Sequence, residues 1–139
     1  MLSGLLVASP AQATDGSVSA RVYYPNTSGS GGEARAYLDF TGRSDVTVRN
    51  LTVRDICPGD GRPVRAVLVV LDTDGKRTTI PPYYSDRNGC GSDGTNFGTY
   101  SLGLSDGWRI KSISLKVCVY NSSGNLKCAT SAGRDNPYT

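Results

Sequence analysis

The chain has 139 residues, a formal net charge of +3 and no histidine. The absence of histidine excludes His-based triads, His general bases and His metal ligands. Seventeen glycines and a single Glu, with many Ser, Thr and Val, favour strands and turns over helices. Arg and Lys are scattered along the chain, so no basic patch indicates nucleic-acid binding.

The first thirteen residues have the character of a signal peptide remnant. Residues 2–8 form a short apolar run, and residues 11–13, Ala-Gln-Ala, fit the small-x-small rule for cleavage before Thr14. No Lys or Arg precedes the run, so a disordered or loosely packed N-terminus is the alternative. The run is too short to span a membrane, which needs about 20 residues. We therefore predict one secreted domain over residues 14–139.

Two strands are predicted at the start of this domain. Residues 17–24 alternate loosely between apolar and polar and end at Pro25, which predicts an edge strand. Residues 33–41 alternate cleanly, as a half-buried strand does. The predicted inward side chains are Ala34, Ala36, Leu38 and Phe40, and the predicted outward ones are Arg35, Tyr37 and Asp39.

The next strand, residues 46–55, contains a five-residue quasi-repeat, Thr-Val-Arg-Asn followed by Thr-Val-Arg-Asp. A period of five cannot match the two-residue period of a strand. Unbroken pairing would divide four apolar residues between the two faces of the sheet: Val46, Val48, Leu51 and Val53. An additional residue at Arg49-Asn50 would bring all four to one face, so we predict a β-bulge there.

The second half of the chain predicts four more strands before a final one at residues 125–130. Residues 66–71 are apolar on both faces, which indicates a central strand. A three-residue turn at residues 73–75 then leads into a strand at 76–80. A short strand follows at residues 97–102. The last of the four, residues 110–121, has an inward set consisting of Ile113, Leu115, Val117 and Val119.

The final hairpin predicts a disulfide. A three-residue turn ending at Gly124 places Cys118 opposite Cys128, at a non-hydrogen-bonded position where side chains are closest. The remaining cysteines, Cys57 and Cys90, would then form a second bridge. Disulfides indicate an oxidising compartment, so an extracellular location is expected. Pairing of all four cysteines also excludes thiolate zinc sites and Cys nucleophiles. The whole pattern predicts an all-β fold: a single antiparallel β-sandwich of about eight strands with two disulfides.

The C-terminal part, residues 110–128 with its Val-Cys-x(9)-Cys hairpin, resembles small secreted proteins common in actinobacteria. The Ala-x-Ala leader and the Arg-, Asp- and Gly-rich, Lys-poor composition are also similar to that group. The resemblance implies a secreted β-fold and carries over no functional residues.

One long irregular segment is predicted at residues 81–96, anchored by the Cys57–Cys90 bridge. Long loops in compact domains are often functional, and exposed aromatic rings can stack on sugar rings. The ligand-binding candidates in and beside this loop are Tyr83, Tyr84, Arg87 and Tyr100. A stapled loop without a ligand is the alternative. Trp108 is a further aromatic candidate, or a core residue, as a sandwich commonly buries its single Trp.

These observations lead to three hypotheses about function. The leading one is a non-catalytic binding protein for a polysaccharide or a secreted or cell-surface protein, with the contact at residues 81–100. The second is a protease inhibitor that presents residues 84–87 on a braced loop. The third is a small hydrolase that uses two Asp carboxylates. No cofactor or metal is predicted, because the Asp-rich stretches 72–75 and 86–96 lack the terminal Glu of a calcium loop.

Overall fold

The computed structural model describes residues 15–23, 31–56, 63–86, 94–104, 107–120 and 125–139. These residues form ten strands and no helix: β1 (Gly16–Tyr23), β2 (Gly31–Phe40), β3 (Asp45–Ile56), β4 (Arg65–Asp72), β5 (Arg77–Ser85), β6 (Thr95–Asn96), β7 (Tyr100–Gly103), β8 (Ile110–Tyr120), β9 (Leu126–Thr130) and β10 (Arg134–Asp135). Several predictions fall outside the described residues: the leader at residues 1–13, Cys57, Arg87 and Cys90. Within the described ranges, no helix has the length and apolarity needed to cross a lipid bilayer.

The strands form two antiparallel sheets, which confirms the predicted all-β class. In the first sheet, β1, β2 and β3 are neighbours, and both β6 and β7 pair with β3. In the second sheet, β5, β4 and β8 are neighbours, and both β9 and β10 pair with β8. Strand β1 is at an edge, as its Pro-terminated pattern predicts. The strand number exceeds the predicted eight partly because β6 and β10 are two-residue strands, too short to leave a sequence pattern.

The inner faces of the two sheets share one apolar core. The predicted inward set of β2 is buried, and so is the predicted inward set of β8. Strand β4 lies between β5 and β8, and its outward-facing Val67 and Val69 are buried as well. The central position predicted for the apolar run at residues 66–71 is therefore confirmed.

Strand β3 contains the predicted bulge. Arg35 of β2 pairs with Thr52, whereas Tyr37 pairs with Arg49, so β3 contributes three residue steps where β2 contributes two. Asn50 has a positive φ of 53°, a conformation that Asn tolerates better than most residues. All four apolar residues of the quasi-repeat are consequently buried on the inner face.

The two hairpin predictions that can be checked are also confirmed. In the turn at residues 73–75, the Asp72 N–H donates to the Lys76 carbonyl at 2.9 Å, and Gly75 has a φ of 88°. Cys118 pairs in register with Cys128, and the two form a disulfide with Cα atoms 4.1 Å apart. The Cys57–Cys90 bridge stays a prediction.

The predicted irregular segment at residues 81–96 is wrong in its first part, because β5 continues to Ser85. Ile80 pairs with Leu68 and Tyr84 with Ala66, so β5 contributes four residue steps opposite two in β4. The prolines at 81 and 82 do not end the strand. Strand β5 is at the edge of its sheet, where a residue without an N–H donor is tolerated.

The left-handed conformation of Asn50 gives a direct test of the bulge. Replacing Asn50 with Val should lower the free energy of unfolding by about 1–2 kcal/mol, because a β-branched residue is strained at positive φ. Asn50→Gly is the matched control and should cost less than about 1 kcal/mol. Urea denaturation measures both changes, and equal stabilities of the Val and Gly variants would contradict the assigned conformation.

Candidate functional site

The structure separates the tyrosines that the sequence proposes as one site. Consecutive side chains of a strand point to opposite faces, so β5 directs Tyr83 and Tyr84 apart. Tyr84 faces inward, where its ring stacks on Tyr100 at 5.9 Å and lies 5.0 Å from Phe97. Tyr83 faces outward and is 44% exposed. Tyr84 and Tyr100 are thus brought together, Tyr83 is on the other side of the sheet, and Arg87 lies outside the described residues.

The inward-facing rings serve packing. Tyr84, Phe97 and Tyr100 all pack against the core, at the side where β5 of the second sheet approaches β6 and β7 of the first. Burial raises the pKa of the Tyr100 hydroxyl, and its hydrogen bond with Tyr84 raises it further, so the group stays neutral. Trp108 also packs against the core, in agreement with the core alternative for this residue.

The outward-facing Tyr83 is associated with a cation. The Arg65 guanidinium lies 4.9 Å from the centre of the Tyr83 ring and 5.8 Å from that of Tyr120. A guanidinium in this position is attracted to the negative face of each ring. Arg65 therefore covers one face of the Tyr83 ring, which leaves less aromatic surface for a ligand.

A shallow groove of about 350 Å³ lies on the outer face of the first sheet. We call it the Tyr37 groove. It is lined by six outward-facing residues from three adjacent strands: Ser17 and Ser19 of β1, Arg35 and Tyr37 of β2, and Arg49 and Asn50 of β3. The pairing of Ser17 with Tyr37 and of Tyr37 with Arg49 places the Tyr37 ring in the middle of a cross-strand row. Tyr37 is 43% exposed.

The bulge contributes directly to this groove. Because β3 has an additional residue there, the consecutive residues Arg49 and Asn50 are both exposed on the outer face. Two hydrogen bonds hold the bulged backbone: the Asn50 N–H donates to Thr99 Oγ1 at 3.3 Å, and the Thr52 hydroxyl donates to the Asn50 carbonyl at 3.0 Å. A bulge also bends its strand, which favours a concave surface at this place.

Most of the charged side chains on this face form ion pairs. Arg49 bonds Asp39 at 2.9 Å and lowers the pKa of that carboxyl. Glu33 accepts hydrogen bonds from Arg21 and from Arg54. Burial opposes the ionisation of Glu33, but the two arginines outweigh burial and its pKa lies below the usual value.

The lining of the Tyr37 groove combines an exposed aromatic ring with polar side chains. An exposed aromatic ring offers a flat apolar surface, and the neighbouring Arg, Ser and Asn side chains offer hydrogen-bond donors and acceptors. Among the described residues that line the groove, none is Asp or Glu. A pair of carboxylates that could act as general acid and base is therefore missing from the groove itself.

Two buried aspartates meet elsewhere, at the end of β3. The Asp55 N–H and the Thr95 hydroxyl each donate to Asp86 at 2.8 Å, and the Asp86 N–H donates to the Val64 carbonyl. Burial and the nearby charge of Asp86 raise the pKa of Asp55 to about 6. Asp86 is 3% exposed, and both of its carboxylate oxygens accept hydrogen bonds from the protein. These contacts indicate a structural link between strands.

Metal binding by the acidic stretches has no support in the described part of the chain. Among those residues, no group of three or more His, Cys, Asp and Glu is placed to hold a metal ion. Asn88 and Asp93 of the stretch 86–96 lie outside the described residues, so the sequence argument against a calcium loop stays a prediction there.

Comparisons with protein families, with curated proteins and with solved structures found no match for this chain. The resemblance to small secreted actinobacterial proteins stays a hypothesis. Function is therefore inferred from the residues and their geometry.

The sequence contained part of the signal for the Tyr37 groove. Alternation in β2 identifies Arg35 and Tyr37 as outward, and the quasi-repeat predicts the bulge at residues 49–50. The register of the three strands could not be derived from the sequence, and this register places Ser17 and Arg49 on either side of Tyr37. The sequence signal for a site on β2 was Tyr37, an aromatic residue at an outward position between Arg35 and Asp39.

The raised pKa of Asp55 predicts a pH dependence of stability. The folded protein binds this proton more tightly than the unfolded chain, so Asp55 destabilises the fold as the pH rises from about 4 to about 6. Asp55→Asn removes the titration and should be more stable than the wild type at pH 7.5, with the advantage lost near pH 4. The readout is the difference in unfolding free energy between variant and wild type, because Glu33 and Asp39 titrate with the opposite sign. A difference that is constant from pH 4 to 7.5 would contradict the assignment.

Proposed function

We propose that this protein is a secreted, non-catalytic binding protein that holds a polysaccharide in the Tyr37 groove. The observation that carries the proposal is the exposed Tyr37 ring, placed in the middle of a concave surface of hydrogen-bonding side chains. Aromatic rings contribute a large contact area, and surrounding polar groups fix the orientation of a ligand.

The strands that build the groove also favour binding. Ser17, Tyr37 and Arg49 are on three paired strands, so their backbones are fixed before a ligand arrives. A surface held in this way loses little conformational entropy on binding.

A second exposed tyrosine on the same face favours a chain-like ligand. Tyr23 of β1 is 41% exposed and pairs with Gly31, six residues along β2 from Tyr37. At about 3.3 Å per residue the two positions are roughly 20 Å apart along the strands. The Arg21 guanidinium donates to the Tyr23 hydroxyl at 3.0 Å and lies 6.0 Å from the centre of the ring, so it holds Tyr23 but leaves less of its aromatic surface for a ligand than at Tyr37. A polymer that follows the strands could contact both tyrosines.

The proposed extracellular location is supported by the Cys118–Cys128 disulfide, since such bonds persist in oxidising compartments. It agrees with the leader expected at residues 1–13, which lies outside the described residues.

The other two hypotheses have less support. For the inhibitor, Tyr84 is partly buried against the core and Asp86 is fully buried, so two of the four residues proposed for display are not freely presented. For the hydrolase, the converging pair Asp55 and Asp86 is buried and is separate from the groove, whose described lining residues include no carboxylate.

Two tyrosines of equal exposure on different sheets provide a matched test of the proposed surface. The protein is incubated with insoluble chitin, cellulose, purified peptidoglycan and cross-linked polygalacturonate, and the bound fraction is measured. Tyr37→Ala should weaken retention on the retaining polymer by roughly tenfold, the loss expected for about 1.4 kcal/mol of ring contact. Tyr83→Ala should leave retention unchanged, because its ring already contacts Arg65.

Two results would contradict the proposal. Retention on none of the four polymers would contradict the proposal of a polysaccharide ligand and favour a protein partner. Equal losses for Tyr37→Ala and Tyr83→Ala would show that the Tyr37 groove is not the contact surface.

A further inference from the structure

Arginines outnumber carboxylates on the face that contains the Tyr37 groove. Three consecutive cross-strand rows contain four arginines and one glutamate: Arg21, Glu33 and Arg54 in the first row, Ser19, Arg35 and Thr52 in the second, and Ser17, Tyr37 and Arg49 in the third. Asp39 follows in the next row and pairs with Arg49. Asp15 lies beside Asp39 in that row, so with Glu33, Asp39 and Asp15 counted against the four arginines, 4 − 3 leaves a net charge of +1 on this area.

Arg35 is the arginine of these rows that has no carboxylate partner among the described residues. Its cross-strand neighbours, Ser19 and Thr52, are uncharged. Glu33, two residues away on the same face, already accepts bonds from two other arginines. Arg35 is exposed, and among the described residues it has no carboxylate partner. A guanidinium in this setting can offer paired N–H groups to an anion, the geometry that carboxylate and sulfate groups accept best.

The position of Arg35 relative to Tyr37 links this cation to the ring. The two residues are two apart on one face of β2, which places their backbones roughly 7 Å apart. A polymer with one sugar stacked on Tyr37 would therefore bring an acidic group on the same or the next sugar within reach of Arg35. Both side chains line the same groove.

We infer that the ligand of the Tyr37 groove is an acidic polysaccharide, whose carboxylate or sulfate groups bind Arg35. The inference rests on the proposed function and narrows it to one class of polymer. Attraction between exposed charges is screened by salt, so the preference for acidic polymers should weaken as the ionic strength rises. Contact with the Tyr37 ring should depend much less on salt.

Polymers that share a backbone and differ in charge test this inference. Polygalacturonate is compared with its methyl ester, and dextran sulfate with dextran, by affinity electrophoresis at 50 and 500 mM salt. We expect at least one acidic polymer to bind roughly tenfold more tightly than its neutral counterpart at 50 mM salt, with most of that preference lost at 500 mM. The two pairs distinguish carboxylate from sulfate as the preferred group.

Arg35→Gln should remove the preference for the acidic polymer while Tyr37→Ala lowers binding to both members of a pair. Arg77→Gln is the matched control, since Arg77 is an exposed strand arginine of the second sheet and its loss changes the net charge by the same amount. Circular dichroism confirms that each variant is folded.

The outcomes separate this inference from the proposed function. Equal losses for Arg35→Gln and Arg77→Gln would show attraction to net charge alone and would overturn the inference. Equal binding of acidic and neutral polymers, with Tyr37→Ala still defective, would also overturn it but leave the proposed function standing. Binding to none of these polymers or of the insoluble panel would overturn both.

Discussion

The additional residue in β3 is the constraint on which both the core and the groove depend. Without it, Leu51 and Val53 would face solvent, and burying two such side chains stabilises a fold by about 3–6 kcal/mol. A left-handed conformation costs an ordinary residue about 1–2 kcal/mol and Asn50 less, so the bulge is favoured by a clear margin. The additional residue in β3 also places the consecutive residues Arg49 and Asn50 together on the outer surface.

The exposed tyrosines of the two sheets differ in whether an arginine lies over the ring, as Arg21 does over Tyr23 of the first sheet at 6.0 Å. On the second sheet, Arg65 lies over the rings of Tyr83 and Tyr120, so cation and ring satisfy each other within the protein. On the first sheet, Arg35 and Tyr37 are neighbours on one face of a strand, and both remain exposed. This difference is the physical reason for proposing that the area around Arg35 and Tyr37 is the binding surface.

Local patterns predicted those features that depend on neighbours along the chain. Alternation identified the inward sets of β2 and β8, and turn geometry placed Cys118 opposite Cys128. The prediction that strand structure ends before Pro81 was wrong. A proline is tolerated in an edge strand, where its missing N–H would point away from the sheet. Whether a strand is at the edge depends on the strand order, which local patterns do not reveal. The groove was missed for a similar reason: Ser17 and Arg49 become neighbours of Tyr37 only through pairing across the sheet.

Backbone amide NMR during titration with an oligogalacturonate distinguishes binding at the outer face of the first sheet from binding at the second sheet, because it reports both sheets at once. We expect the largest chemical-shift changes at Ser19, Arg35, Tyr37 and Asn50, with little change at Arg65 and Tyr83. Changes concentrated at Arg65 and Tyr83 would contradict the assignment of binding to the outer face of the first sheet.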